Sequence, residues 1–461
     1  MNSFKMSSVI FREYDIRGVF DSDFDLEFAT HLGKALVSFI SKTNNNKNPR
    51  ITIGYDARLS SPSIAQALEE GIVSSGGHVI RLGLITSPIS YFSTFELENI
   101  EGAFMVTGSH NPPEFNGFKI SVGKTTIHGN DIKTLEKIIT SQDYLQSNGS
   151  AEDFNIFPQY LEKYKKEFSN LKKMPIVLDC GNGAAGCIAR ELYKVAGQDP
   201  EILFEQPDGT FPNHHPDPTV EKNLKHLKEA VLKSDAIAGI GFDGDADRIG
   251  VVDNEGKMIF GDELLILYSR YILNKKDYKG AKIIGDVKCS DRLYADVEKS
   301  GGIPIMWKTG HSLIKEKIKT EESPFGGELS GHIFFADRNY GYDDALYAGL
   351  RLIEILSETN KTISELLADL PKVYNTPEIR VDTTEEKKVE IVNALKEKYK
   401  LTSVDYLANF QDGVRVSFKD GWALARASNT QPVLVLRFES TNEASLATIR
   451  KEFEDVVSPL L

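Results

Sequence analysis

Between Gly241 and Asp253 the sequence reads GFDGDADRIGVVD, with Asp243, Asp245 and Asp247 at alternate positions between two apolar runs. If those runs are strands, an extended connection turns all three carboxylates toward one point. Three acids held that close repel one another unless a cation sits among them. An EF-hand is the nearest competing pattern, but its sixth position needs Gly and its twelfth Glu, whereas Arg248 and Asn254 stand there. A solvated acidic turn is the plainer alternative. Three oxygen ligands suit Mg2+, which completes its octahedron with water or a substrate phosphate, and Arg248 beside them suits the same phosphate.

A second stretch, Thr107 to Pro113, reads TGSHNPP. Ser109 there has three readings. It can be a turn or helix cap. It can be an acyl-transfer nucleophile with His110 as base, although neighbours in sequence rarely have the geometry for that proton transfer. Or it can carry a phosphoryl group whose oxygen completes the metal shell begun by the aspartates. The two prolines forbid a helix just beyond it, and a stiff loop suits a group awaiting in-line transfer.

The elements that must position these loops follow one pattern three times. Residues 51–83, 174–204 and 281–310 each show a short apolar strand, a turn with Asp56, Asp179 or Asp286, an amphipathic helix, a Gly-containing turn and another strand. Units recurring at roughly a hundred residues predict three related α/β domains, since solenoid periods run ~20–50. From about Lys372 the order changes to a strand, a charged helix (EEKKVEIVNALKEKY), a hairpin near KDG, the run VLVLRFES and a last helix, which reads as a small α+β domain. The expected division is 1–154, 155–256, 257–371 and 372–461.

Whole-chain properties remove other classes. At 461 residues the chain is too long for one core, and its net charge of −13 argues against nucleic acid or an anionic membrane as main partner. No apolar run approaches a transmembrane span and the first ten residues lack a signal peptide's core, so a cytoplasmic protein is expected. Cys180, Cys187 and Cys289 form no C-x-x-C pair and read as reduced thiols. Gly181, Gly183 and Gly186 spell G-x-G-x-x-G with Glu201 beyond, yet the sister units make the same turn without it, so a tight strand-to-helix turn explains them. His214 and His215 lie among prolines and read as loop architecture. No P-loop occurs.

The motifs together resemble the α-D-phosphohexomutases, and within them the bacterial phosphomannomutase/phosphoglucomutase branch. The likeness covers nearly the whole chain: FREYDIRG, TGSHNPPEFNGFKI, GFDGDADR, KTGHS, GELSGH and RASNTQPVLVLRFE stand in the family's order. It implies three related α/β domains with mixed sheets and a C-terminal α+β domain around a central cleft. The implied activity is a reversible exchange between the 1- and 6-phosphates of α-D-mannose or glucose, through a phosphoserine and a 1,6-bisphosphate. By the same resemblance Ser109 carries the phosphoryl group, and Ser109, Asp243, Asp245 and Asp247 hold one Mg2+. Tyr14, Arg17, His110, Lys119, Arg248 and Lys288 are implied around the reacting phosphate, with Lys119 or His110 moving the hydroxyl proton. Glu328 and Ser330 are implied to read the sugar, with His311 and His332 bordering the same pocket, and Arg426, Ser428, Asn429 and Thr430 to hold the phosphate that stays. Glucose 1,6-bisphosphate is the implied activator, hexose phosphates the partners, and a monomer the expected state. A phosphoglucosamine mutase or a non-catalytic sugar-phosphate binder are the alternatives, and Leu329 separates hexose from hexosamine enzymes only modestly.

Overall fold

The computed structural model describes residues 4–44, 46–401, 403–428 and 432–461, arranged around four sheets. The first three repeat one topology. The four central strands of the first are Arg50–Tyr55, His78–Leu84, Ile100–Val106 and Phe115–Val122. Those of the second are Ile176–Asp179, Glu201–Leu203, Ala238–Phe242 and Ile249–Asp253, and those of the third are Lys282–Asp286, Ile303–Trp307, Phe325–Gly327 and Ile333–Phe335. In space each set runs second, first, third, fourth, with the first three parallel and the fourth antiparallel. The sheets are therefore mixed.

This order has a functional consequence. The chain leaves the first strand toward one side and returns to the third on the other, which opens a crevice at the carboxyl ends between them, where ligands of such sheets bind. In every unit the connection from third to fourth strand is a short loop at that edge: 107–114, 243–248 and 328–332. These loops contain Ser109, the three alternating aspartates, and Glu328 with Ser330.

The glycines of the dinucleotide-like fingerprint serve close approach. A Cβ at Gly183 would lie 2.8 Å from the Gly244 carbonyl oxygen, and one at Gly186 would lie 1.7 Å from that of Glu205.

The fourth sheet is antiparallel, built on Val433–Ser440, Gly421–Ala427, Val414–Phe418 and Tyr406–Asn409. Helix Glu385–Tyr399 covers it. Thr384 caps that helix by accepting from the Lys387 amide at 3.2 Å, and Ile391, Leu395 and Tyr399 line its inward face. Among the described residues no helix is long and apolar enough to cross a membrane.

Candidate functional site

The site begins with the aspartates that end the first strand of each unit or directly follow it. Asp56 Oδ2 accepts from Thr107 Oγ1 at 2.8 Å and from the Gly108 amide at 3.3 Å. Asp286 accepts from the Leu329 amide at 3.1 Å and Thr309 Oγ1 at 2.8 Å. Each thereby ties the crevice floor to the loop that follows the third strand. Asp179 instead accepts from the Gly181 amide at 2.8 Å and lies 2.9 Å from His214 Nε2, so that histidine belongs to the loop's framework.

The stiffness of the Ser109 loop comes less from its prolines than from Arg58. Its buried guanidinium donates to the carbonyls of Ser109, Asn111, Pro112 and Phe115, with 2.7 Å to Ser109 and 2.6 Å to Asn111. Its Nε donates to Asp56 at 3.1 Å. One cation therefore satisfies four backbone acceptors. Ser109 itself has φ 50°, which a non-glycine residue adopts only where its surroundings impose it. Its amide donates to Thr107 Oγ1 at 2.8 Å, and its hydroxyl donates to Asp243 Oδ2 at 3.0 Å. His110 Nδ1 lies 3.2 Å from the same hydroxyl.

Asp243, Asp245 and Asp247 do converge, with ligand oxygens within 4.8 Å of one another and no exposure to solvent. The expected extended connection is corrected to a tight turn. The Ala246 amide donates to the Asp243 carbonyl at 3.1 Å, Ala246 has φ 61°, and Gly244 passes so close that a Cβ would lie 2.4 Å from the Ser109 carbonyl oxygen. Asp245 Oδ1 and Asp247 Oδ1 are buried without a hydrogen-bond partner among the described residues, and a cation would supply one. Burial and its two acidic neighbours push the Asp243 carboxyl well above the usual carboxylate range. Burial would raise Asp245 too, but Lys119 outweighs it and holds that carboxyl low. The donor set fits a hard divalent ion.

Lys119 Nζ donates to Asp245 Oδ2 at 2.6 Å and to Asp247 Oδ2. Burial alone would lower its pKa, yet Asp245 and Asp247 raise it well above the ordinary lysine value, so it stays an ammonium. Burial, then Arg248 and Arg17, push the His110 imidazole well below its ordinary value, so it is neutral. Arg17 Nη2 donates to Asp15 Oδ2 at 2.5 Å. Arg248 Nε donates to His332 Nε2 at 3.0 Å.

Across the crevice, Glu328 accepts from the Gly310 amide at 2.7 Å and from Ser330 Oγ at 2.9 Å. Tyr14 packs its ring over Gly310 and donates to the Thr309 carbonyl at 2.6 Å. The His311 ring lies 5.7 Å from that of His332 and 6.3 Å from that of Tyr14. Lys288 donates to Glu378 Oε2 at 3.3 Å. Arg426 Nε donates to Asp412 Oδ2 at 3.1 Å, and that oxygen also accepts the Thr309 amide at 3.0 Å. The Ser428 carbonyl accepts Lys388 Nζ at 2.7 Å. Asn429 and Thr430 lie outside the described residues. Two cavities of about 650 and 640 Å³ open elsewhere and are lined by none of these side chains.

Sequence reasoning missed Arg58, Asp412 and Asp343. Only Arg58 left a signal, two positions after Asp56.

Models of the phosphoglucomutase/phosphomannomutase family match in order: alpha/beta/alpha domain I at residues 8–146, domain II at 158–256, domain III at 260–374 and the C-terminal domain at 378–456. A phosphomannomutase/phosphoglucomutase of Pseudomonas aeruginosa is 42% identical over 446 residues, covering 97% of this chain and 95% of its own. A phosphoglucomutase of Neisseria gonorrhoeae is 39% identical, with 97% and 96% covered. The crystal structure of a phosphoglucomutase/phosphomannomutase family protein from Burkholderia thailandensis superimposes with a TM-score of 0.90 at 38% identity, covering 99% of this chain and 98% of that one.

Proposed function

We propose that this chain, which belongs to the phosphoglucomutase/phosphomannomutase family, reversibly interconverts the 1- and 6-phosphates of α-D-mannose and α-D-glucose through a phosphoserine at Ser109. The observation that carries this reading is Ser109 itself: a buried hydroxyl in a left-handed backbone, held by Arg58 and 3.0 Å from the first of three convergent aspartates. A binding protein has no use for so constrained a nucleophile. The relatives named above carry the neutral-hexose names, and no observation favours the amino sugar.

In the proposed step a sugar hydroxyl oxygen attacks the phosphorus, the Oγ–P bond breaks, and the proton lost by the hydroxyl reappears on Oγ. His110, neutral and 3.2 Å from Oγ, suits that exchange. Lys119 stays charged and, with Arg17 and Arg248, offsets charge on the transferring group. Ser109, once phosphorylated, and Asp243, Asp245 and Asp247 would hold one Mg2+. Bound there, the ion supplies the positive charge that lets a phosphoserine and an anionic substrate share one site.

The product of the first transfer is a 1,6-bisphosphate, which must turn end over end before its other phosphate returns to Ser109. Arg426, Ser428, Asn429 and Thr430 would clamp whichever phosphate stays, with His311 and His332 bordering the sugar pocket and Tyr14 and Lys288 beside the reacting phosphate. Glu328 and Ser330 would hold the 3- and 4-hydroxyls in either orientation. None of these needs the 2-hydroxyl, where mannose and glucose differ, so discrimination between them should stay below ~100-fold. Activation by glucose 1,6-bisphosphate, a monomeric cytoplasmic enzyme, and no role for nucleic acid or membrane belong to the same reading, supported for the last by the net charge of −13. So does the division at 1–154, 155–256, 257–371 and 372–461, although strand Met258–Ile259 still pairs with the second sheet.

Ser109→Ala tests the proposal: a folded, sugar-phosphate-binding protein with turnover lowered at least ~10⁴-fold is expected. Near-normal turnover, free of contaminating mutase, would refute it. Chelation by EDTA without added metal should likewise abolish activity.

A further inference from the structure

His332 is held at both ring nitrogens by groups whose chemistry fixes its proton. Arg248 Nε, always a donor, points at His332 Nε2 across 3.0 Å, so Nε2 offers its lone pair. The remaining ring proton then sits on Nδ1. Nδ1 lies 2.8 Å from Asp343 Oδ2 and 3.6 Å from Asp247 Oδ1. Nδ1 and Asp343 Oδ2 are both buried and neither makes a hydrogen bond of regular geometry with any described residue, so the 2.8 Å approach joins them as an ion-pair contact.

Asp343 is suited to that task. It is fully buried, and its other oxygen accepts Lys315 Nζ at 3.2 Å. Burial would raise its carboxyl, but Lys315 and His332 hold it well below the usual range, so it is an anion. The backbone brings all three residues together: Arg248 pairs with His332 in one isolated antiparallel bridge, and Phe334 pairs with Asp343 in another. The Ile249 amide donates to the Gly331 carbonyl at 3.0 Å alongside.

We infer that Asp343 is a positioning residue of the phosphoryl-transfer site: it anchors the Nδ1 side of His332 and, through Nε2, aims the guanidinium of Arg248 at the transferring phosphate. Asp343 need not touch substrate, and no proton leaves it. The logic is that of a buried carboxylate orienting an imidazole for the group beyond it, where exchanging Asp for Asn inverts the tautomer and costs ~10⁴-fold in turnover in the best-known triad. Here the imidazole orients an arginine rather than activating a nucleophile, so a smaller loss is expected.

The inference rests on the proposed mutase activity, but one arm of its test does not. In ¹⁵N NMR of the unmutated enzyme, His332 should show a protonated Nδ1 and an unprotonated Nε2, and the inverse pattern would overturn the inference whatever the enzyme's substrate. In Asp343→Asn, where Nδ1 loses the anion it faces while Arg248 still donates to Nε2, the Nδ1 resonance should shift, kcat should fall ~10²–10³-fold, and KM for mannose and glucose 1-phosphates should stay within ~3-fold. A kcat within ~3-fold of the unmutated enzyme, or an unchanged Nδ1 resonance in the variant, would sink it. If that variant does not fold, Asp343→Glu, which keeps the anion but displaces it, takes its place with the same two readouts.

Discussion

The seams that join the first three units differ in kind from the seam that joins the fourth. Ile89, Phe92, Tyr160, Leu192, Ile240, Leu264 and Tyr347 belong to one continuous buried cluster drawn from all three units, with Phe92 meeting Tyr160 edge-on at 5.2 Å. The fourth unit keeps its own core around Ile391, Leu395, Leu436 and Phe453. It meets the rest largely through polar groups. Arg415 donates to the Cys289 carbonyl at 2.9 Å and to Asp291 at 2.6 Å, Ser290 donates to Glu439 at 2.8 Å, and Asp412 takes the Thr309 amide. Its small apolar contact joins Trp422 and Leu424 to Val287. Separating an apolar seam exposes surface that water does not repay, whereas most polar contacts can be exchanged for water. On the proposed function, the contrast predicts a rigid frame carrying the three loops that follow the third strands, and a fourth unit that hinges near Pro371 so that a bisphosphate can turn.

The largest expected effect lies in the frame. Ile240→Ala, at a fully buried position, should cost ~2–5 kcal/mol in one cooperative unfolding transition shared by the three units. Separate calorimetric transitions for the first, second and third units would break the comparison. Next comes the clamp. Arg426→Ala should weaken both mannose and glucose 1-phosphate by roughly 1.5–3 kcal/mol, the scale of a charge-assisted hydrogen bond, and isothermal titration should show the two losses to be alike. A loss confined to one sugar would contradict a shared site.

Hydrogen exchange sharpens the contrast between seams. The Thr309 amide, held among the described residues by Asp412 of the fourth unit, should exchange through seam opening well before the amides of strand Ala238–Phe242. Equal protection would mean that the fourth unit does not open on its own.

The smallest effect is a pH dependence at a polar point inside the frame. Asp344 caps helix Ala345–Thr359 through the Tyr347 amide and accepts Tyr160 Oη at 2.8 Å. Burial, only partly offset by those hydrogen bonds, pushes its carboxyl up to about 6. The folded state then binds the proton more tightly than the unfolded chain, so ionisation destabilises it above that value and the penalty is relieved as pH falls. Between pH 7 and 5 the stability of the unmutated protein relative to Asp344→Asn should rise by about 1 kcal/mol, measured by urea unfolding. A flat or opposite difference would place that proton elsewhere.

What the sequence made legible was local. The charged helix Glu385–Tyr399 and strand Val433–Ser440 stand where their periodicities put them, and the three units show one strand order. The alternating aspartates announced convergence but not its means. Alternation suggests extended backbone, while the turn at Ala246 follows from how near Gly244 must pass to Ser109, a contact 135 positions away. Arg58, Asp343 and Asp412 escaped for the same reason, because each works on a residue distant in sequence or through another side chain.

The central claim is that Ser109 carries the phosphate that moves. It is tested most directly by loading the enzyme from ³²P-labelled glucose 1,6-bisphosphate, mapping the label, and chasing with unlabelled mannose 1-phosphate. The account predicts label on Ser109 alone, passing into a mannose bisphosphate during the chase, and no label on Ser109→Ala. Label on another residue, or a Ser109 phosphate that the sugar cannot remove, would contradict it.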